Sequence, residues 1–145
     1  MTVRLSFASL IALALTTLPL HAEGDPEAGE KAFKKCRACH MVADGDRVIF
    51  KGGKAGPNLY GLIGRPAAGT DFRYSSAMQA LGETGFVWDA ENFTEFMQDP
   101  VGFVKTTLDD NGARTRMTQK LKAEDAADVA AWLASVGPAP TESGS

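Results

Sequence analysis

Apolar residues recur at helical spacing in three stretches of this chain, and between the first and the second the periodicity disappears. Gly29, Ala32, Phe33 and Cys36 follow the i, i+3, i+4, i+7 rule of one helix face. Asp25 stands where a cap belongs, Pro26 takes the first position, and Glu27 and Glu30 in the first turns complement the helix dipole. A second helix is expected from Asp89 to Gln98, with Phe93, Phe96 and Met97 on one face and Asp99-Pro100 as its stop. A shorter helical turn is expected over 100–106. The third and longest helix runs from about Ala123 to Val136, with Glu124 and Asp125 at its start and Gly137-Pro138 at its end. Its inner face repeats Val129, Trp132, Leu133 and Val136. Residues 41–66 are rich in glycine and carry no period, and no strand pattern of useful length emerges. Gly29 has no side chain, so the first and last helices can approach closely there, with Trp132 against Phe33. The pattern is that of an all-α domain with short helices and long loops. Such a chain needs something large and apolar at its centre to complete a core.

The amino end has a different texture. Arg4 precedes a mostly apolar run from Leu5 to Leu20, and Ala22 offers a small residue for cleavage, so 1–22 reads as a cleaved secretory signal peptide. A retained membrane anchor is the alternative, but a span calls for about 20 consecutive apolar residues. Ser6, Ser9, Thr16 and Thr17 interrupt this one. The rest divides into one domain over 23–137 and a polar tail over 138–145. Lys and Arg number 15 against 18 Asp and Glu, a net charge of −3, and loss of Arg4 makes the exported part more negative still. That balance argues against nucleic acid as a partner.

Chemistry concentrates at Cys36-Arg37-Ala38-Cys39-His40. The two cysteines are the only ones in the chain, and the other histidine, His21, would leave with the signal. C-x-x-C-H is the attachment signature of c-type haem. On a helix, thiols three residues apart face the same side, so each can add to one haem vinyl group as a thioether. His40 then presents its imidazole to the iron. A redox disulfide would sit in a βαβ alternation that this chain lacks. A zinc site would need about four ligands, more than two cysteines and one histidine provide. Export agrees with haem, which is attached to this motif outside the cytoplasm.

With the motif early and a methionine in a late loop, the chain resembles the class I cytochromes c, and among them the bacterial cytochrome c2 group. The resemblance runs from Gly24 to about Val136 and is carried by GDPEAGEKAFKKCRACH, KAGPNLYGLIGRPAAGT, FRYSSAM, VWDAENFTEFMQDP, RTRMTQKL and EDAADVAAWLASV. It implies a class I cytochrome c fold in which the N- and C-terminal helices cross and loops wrap one covalently bound haem c. It also implies the rest of the site. Met117 matches the axial methionine opposite His40. Met41 adjoins His40 and cannot easily reach the opposite face, while Met78 and Met97 are read as packing residues. Pro57 matches the proline whose carbonyl accepts the proton on the other nitrogen of the ligand histidine. Arg65, Tyr74 and Trp88 match the family's partners of the haem propionates, carboxylates that need donors beside an apolar pocket.

A thioether on the iron favours the ferrous state and fills the coordination site, which suits an electron carrier and not an enzyme. The resemblance implies a monomeric periplasmic shuttle taking one electron from a cytochrome bc complex to a terminal oxidase or a photosynthetic reaction centre. Lys34, Lys35, Lys54, Arg116, Lys120 and Lys122, with Lys51 and Arg114 nearby, are expected to form a basic docking face. Two departures from the family pattern bear on this. Gln119 replaces an aromatic residue and is expected to lower the potential by wetting the haem edge, and Val101-Gly102 replaces the paired lysines of mitochondrial relatives. Two other readings stay open: a gas-sensing haem protein in which Met117 is off the iron, and the haem subunit of a periplasmic dehydrogenase.

Overall fold

The structure is a computed structural model that describes residues 24–138. The signal-peptide reading of 1–22 and all but Pro138 of the polar tail lie outside the described residues. The first helix, α1 (Pro26–Phe33), begins as the sequence implies, with the Asp25 carboxylate accepting the Glu27 N–H at 2.8 Å. The Asp25 N–H in turn donates to Asp128 Oδ1 at 2.7 Å, joining the start of α1 to the helix over Ala123–Val136. A Cβ at Gly29 would clash with the Asp128 carbonyl and lie 2.8 Å from Trp132 Cβ, so the close approach requires glycine. Phe33 meets Trp132 as expected, with ring centroids 4.7 Å apart.

The glycine-rich stretch holds something the sequence pattern did not suggest. Strands β1 (Val42–Asp44) and β2 (Arg47–Phe50) pair antiparallel, Ala43 opposite Val48 and Asp44 opposite Arg47, around a turn in which Gly45 has φ +57°. Three and four residues are too few for a period to register. The hairpin brings Phe50 edge-on to Phe33 at 4.9 Å and to Trp132 at 5.7 Å. Such aromatic pairs each add about 0.5–1.5 kcal/mol beyond burial.

Helix α2 (Ser76–Glu83) was also not expected; Ser75 caps it, and it buries Ala77 and Leu81. Helix α3 (Ala90–Gln98) opens with a reciprocal cap between Asp89 and Asn92 and buries Phe93, Phe96 and Met97. The expected turn after Pro100 is a full helix, α4 (Pro100–Leu108), closed by Asp109 in the left-handed region. Helix α5 (Ala123–Val136) matches its sequence reading and packs on α1 and α3. Among the described residues the fold is thus five helices and one small hairpin around a shared apolar core. No described helix is long and apolar enough to cross a membrane.

Candidate haem site

Helix α1 stops at Phe33, so the C-x-x-C-H motif is not helix-borne as the sequence reading had it. Tight turns do the same work. Cys36 N–H donates to Phe33 O at 2.8 Å, Cys39 N–H to Cys36 O at 3.1 Å, and His40 N–H to Cys36 O at 3.0 Å. These turns aim Cys36, Cys39 and His40 into one cavity of about 570 Å³, within the usual range of cofactor pockets. Pro57, Arg65, Tyr74, Trp88 and Met117 line the same cavity, so all eight residues singled out from the sequence converge. The two cysteines form no disulfide; Cys36 is buried, which pushes the pKa of its thiol up to about 11, and Cys39 is exposed.

His40 is 8% exposed, and its Nδ1 lies 2.8 Å from the Pro57 carbonyl oxygen. A carbonyl only accepts, so Nδ1 carries the proton and the neutral ring keeps its lone pair on Nε2. Burial lowers the pKa of the ring, and the bond to Pro57 partly opposes that shift. The 52–57 loop is stitched to the motif by Gly53 N–H to Arg37 O at 2.9 Å and Gly56 N–H to Cys39 O at 2.8 Å. A Cβ at Gly56 would stand 2.7 Å from His40 Nδ1 and 2.8 Å from Nε2, so the ring rests on a residue without a side chain.

Across the cavity, a short backbone ladder joins 64–67 to 86–88, with Trp88 N–H donating to Arg65 O at 2.9 Å and Gly64 N–H to Trp88 O at 2.7 Å. It sets Arg65 and Trp88 side by side. Arg65 Nη1 donates to the carbonyls of Tyr60 at 3.0 Å and Asn58 at 3.2 Å. Its Nε is buried and, among the described residues, without a partner. Burial also pulls the pKa of this guanidinium down. A buried donor left unmatched at a cavity wall suits an anionic group inside the cavity. Tyr74 is engaged elsewhere, its hydroxyl sharing a hydrogen bond with Thr70 Oγ1 at 2.5 Å.

Met117 lies in the segment between α4 and α5, half-buried, with its N–H donating to Thr115 Oγ1 at 3.2 Å. Arg116 Nη1 donates to Arg73 O at 2.9 Å, and Leu121 N–H donates to Met97 O at 2.8 Å. Met78 and Met97, read from the sequence as packing residues, do pack against the core and also line the cavity.

The description of the cytochrome c family matches residues 26–137. This chain belongs to the cytochrome c family. More narrowly it is a class I c-type cytochrome of the c2 group. It is 49% identical to cytochrome c-551 of Roseobacter denitrificans over 90% of this chain and 94% of that protein. It is 46% identical to cytochrome c2 of Rhodobacter capsulatus over 94% and 98%. The solved cytochrome c2 of Rhodobacter sphaeroides superposes with a TM-score of 0.78 at 43% identity, covering 81% of this chain and 100% of that one.

The cofactor of this cytochrome is one covalently attached haem c. Two thiols, an imidazole with a free nitrogen, thioethers and an unmatched Arg65 donor around an apolar hollow fit that group. The sequence reading missed Asn58 and Thr115. Asn58 binds Ala43 through both its amide atoms, at 3.1 and 2.7 Å, locking the hairpin to the loop that carries Pro57. The residues expected to form a basic face are all exposed. However, Lys35 is paired with Asp125 at 2.7 Å and Lys120 with Asp99 at 2.9 Å. Lys120 first, then the Gly102 amide, holds the Asp99 carboxyl below its usual range. Gln119 is exposed at the cavity mouth and donates to Lys120 O at 3.0 Å.

Proposed function

We propose that this cytochrome is a monomeric one-electron carrier whose iron is held between His40 and Met117, with Cys36 and Cys39 as the covalent attachment points. One observation carries the reading. An imidazole whose Nε2 is free and a loop-borne thioether line the same apolar cavity, so His40 and Met117 would hold the iron with one nitrogen and one sulfur of the chain itself in place of a substrate. Bound haem c supplies a centre that changes its charge by one electron. The Pro57 carbonyl fixes the orientation of His40 and raises its basicity. Leu59, Leu62, Phe93 and Phe96 wall the cavity with apolar surface and keep water from it. Arg65, beside Trp88 and Tyr74, offers the donor that a propionate requires.

Cleavage after 22 delivers a domain over 23–137 and a tail over 138–145 to the periplasm, a reading supported by the texture of the amino end. A cytochrome bc complex is the donor and a terminal oxidase or photosynthetic reaction centre the acceptor, a choice supported by membership of the c2 group. Docking uses Lys34, Lys54, Lys122 and Arg116, with Lys35 and Lys120 contributing less because carboxylates already neutralise them. Carbon monoxide tests the closed site. The reduced protein is expected to keep its spectrum under the gas, and ready binding would replace the carrier reading with the sensing one. Electron transfer to the membrane partner should slow as salt rises; a rate indifferent to salt would remove the basic face from the account.

A further inference from the structure

The segment between α4 and α5 carries Met117 without regular secondary structure of its own, and its two limbs are tied to different parts of the fold. On the amino side, Arg116 Nη1 donates to Arg73 O at 2.9 Å. On the carboxyl side there are two ties, both to the junction of α3 and α4. Leu121 N–H donates to Met97 O at 2.8 Å, and Lys120 Nζ meets Asp99 Oδ1 at 2.9 Å. Only Met117, Thr118 and Gln119 lie between the anchored residues. Asp99 is well placed for this. It is the residue between the two helices, and its other carboxylate oxygen lies against the place a Cβ on Gly102 would take, beside the first turn of α4.

We propose that Asp99 is a positioning residue for the axial methionine: its ion pair with Lys120 clamps the carboxyl limb of the Met117 loop to the α3–α4 junction and so keeps the sulfur over the cavity. The proposal rests on Met117 as the iron ligand and says how that ligand is held. A bond between a fixed group and a loop-borne ligand opens when the loop strays, so each anchor that shortens the free segment favours the closed state. Lys120 and Asp99 are both well exposed, and exposed pairs are weak, so the expected effect is modest, about two- to threefold in the closed-to-open ratio.

Imidazole, which competes with a thioether for ferric iron, reads that ratio directly in the intact holoprotein. Asp99→Asn and Lys120→Gln should each raise the apparent affinity for imidazole about two- to threefold. The double variant should gain no more than either single one, because both remove the same contact. Salt should raise imidazole affinity in the parent and leave it unchanged in both single variants, a difference that a general loss of stability does not produce. Additive effects, or an Asp99→Asn variant that binds imidazole like the parent, would overturn the clamp. Met117→Ala separates this from the underlying assignment. If that variant binds imidazole no better than the parent, the iron ligand is misassigned. If it binds far better while Asp99→Asn is silent, only the clamp fails.

Discussion

Gly56→Ala places one methyl group against the ring proposed to hold the iron. The added Cβ would stand 2.7 Å from His40 Nδ1 and 2.8 Å from Nε2, well inside van der Waals contact. The backbone itself is no obstacle, since Gly56 is absent from the positive-φ glycines. At such a site alanine stabilises by about 0.4–1 kcal/mol through the unfolded chain. Against that stand about 1–3 kcal/mol of overpacking and about 0.5–1.5 kcal/mol for the Nδ1–Pro57 hydrogen bond if the ring is pushed from it. His40 has little freedom to yield, being 8% exposed and held at 2.8 Å by Pro57. The net expectation is a loss of about 1–3 kcal/mol, measured by denaturant unfolding of the holoprotein. Potential should move too. The bond to Pro57 makes the imidazole a better electron donor, which favours ferric iron, so weakening it should raise the midpoint potential. If the whole hydrogen-bond energy were felt in one oxidation state only, the rise would be roughly 20–60 mV. A Gly56→Ala protein with parental stability and parental potential would refute the packing of the ring on this loop.

Three further outcomes are expected. Gly29→Ala should destabilise by about 1–3 kcal/mol despite the better helix propensity of alanine, because the new Cβ meets the Asp128 carbonyl and Trp132. Thermal unfolding checks this against Glu30→Ala, an exposed change on the same helix that should stay within about 0.5 kcal/mol of the parent. Gln119→Phe should dry the cavity mouth and raise the midpoint potential; an equal or lower value in a redox titration sinks the explanation. Arg65→Met should lower the potential, because a cation beside the cavity disfavours the ferric state, and a raised potential would remove Arg65 from that role.

Much of the scaffold was legible in the sequence, for identifiable reasons. Asp25, Pro26 and Asp89 announce helix starts, and the spacings around Phe33, Phe93 and Val129 state which faces are buried. The Gly29–Trp132 approach could be read because a glycine on one inner face and a large ring on another fit each other. The hairpin could not, since strands of three and four residues carry no usable period and only the Gly45-Asp46 turn marks them. Helix α2 lacks the start signals of α1: it has no proline or acidic residue in its first turn, and Gly82 interrupts its last turn. Convergence of the eight singled-out residues on one cavity follows from their place in a known pattern. The pairing of Lys35 with Asp125 and of Lys120 with Asp99 does not, because each joins residues brought together only by the fold. Likewise, spacing marks Met78 and Met97 as inward-facing but is silent on what lies opposite them.

That three methionines reach the cavity makes the choice among them the most direct test of the account. The absorption spectrum of the oxidised holoprotein decides it through the charge-transfer band between thioether sulfur and ferric iron. The band is expected in the parent, retained in the volume-conserving variants Met78→Leu and Met97→Leu, and lost in Met117→Leu. A parent without the band, or a band that survives in Met117→Leu and vanishes with Met78 or Met97, would contradict the closed His40–Met117 site.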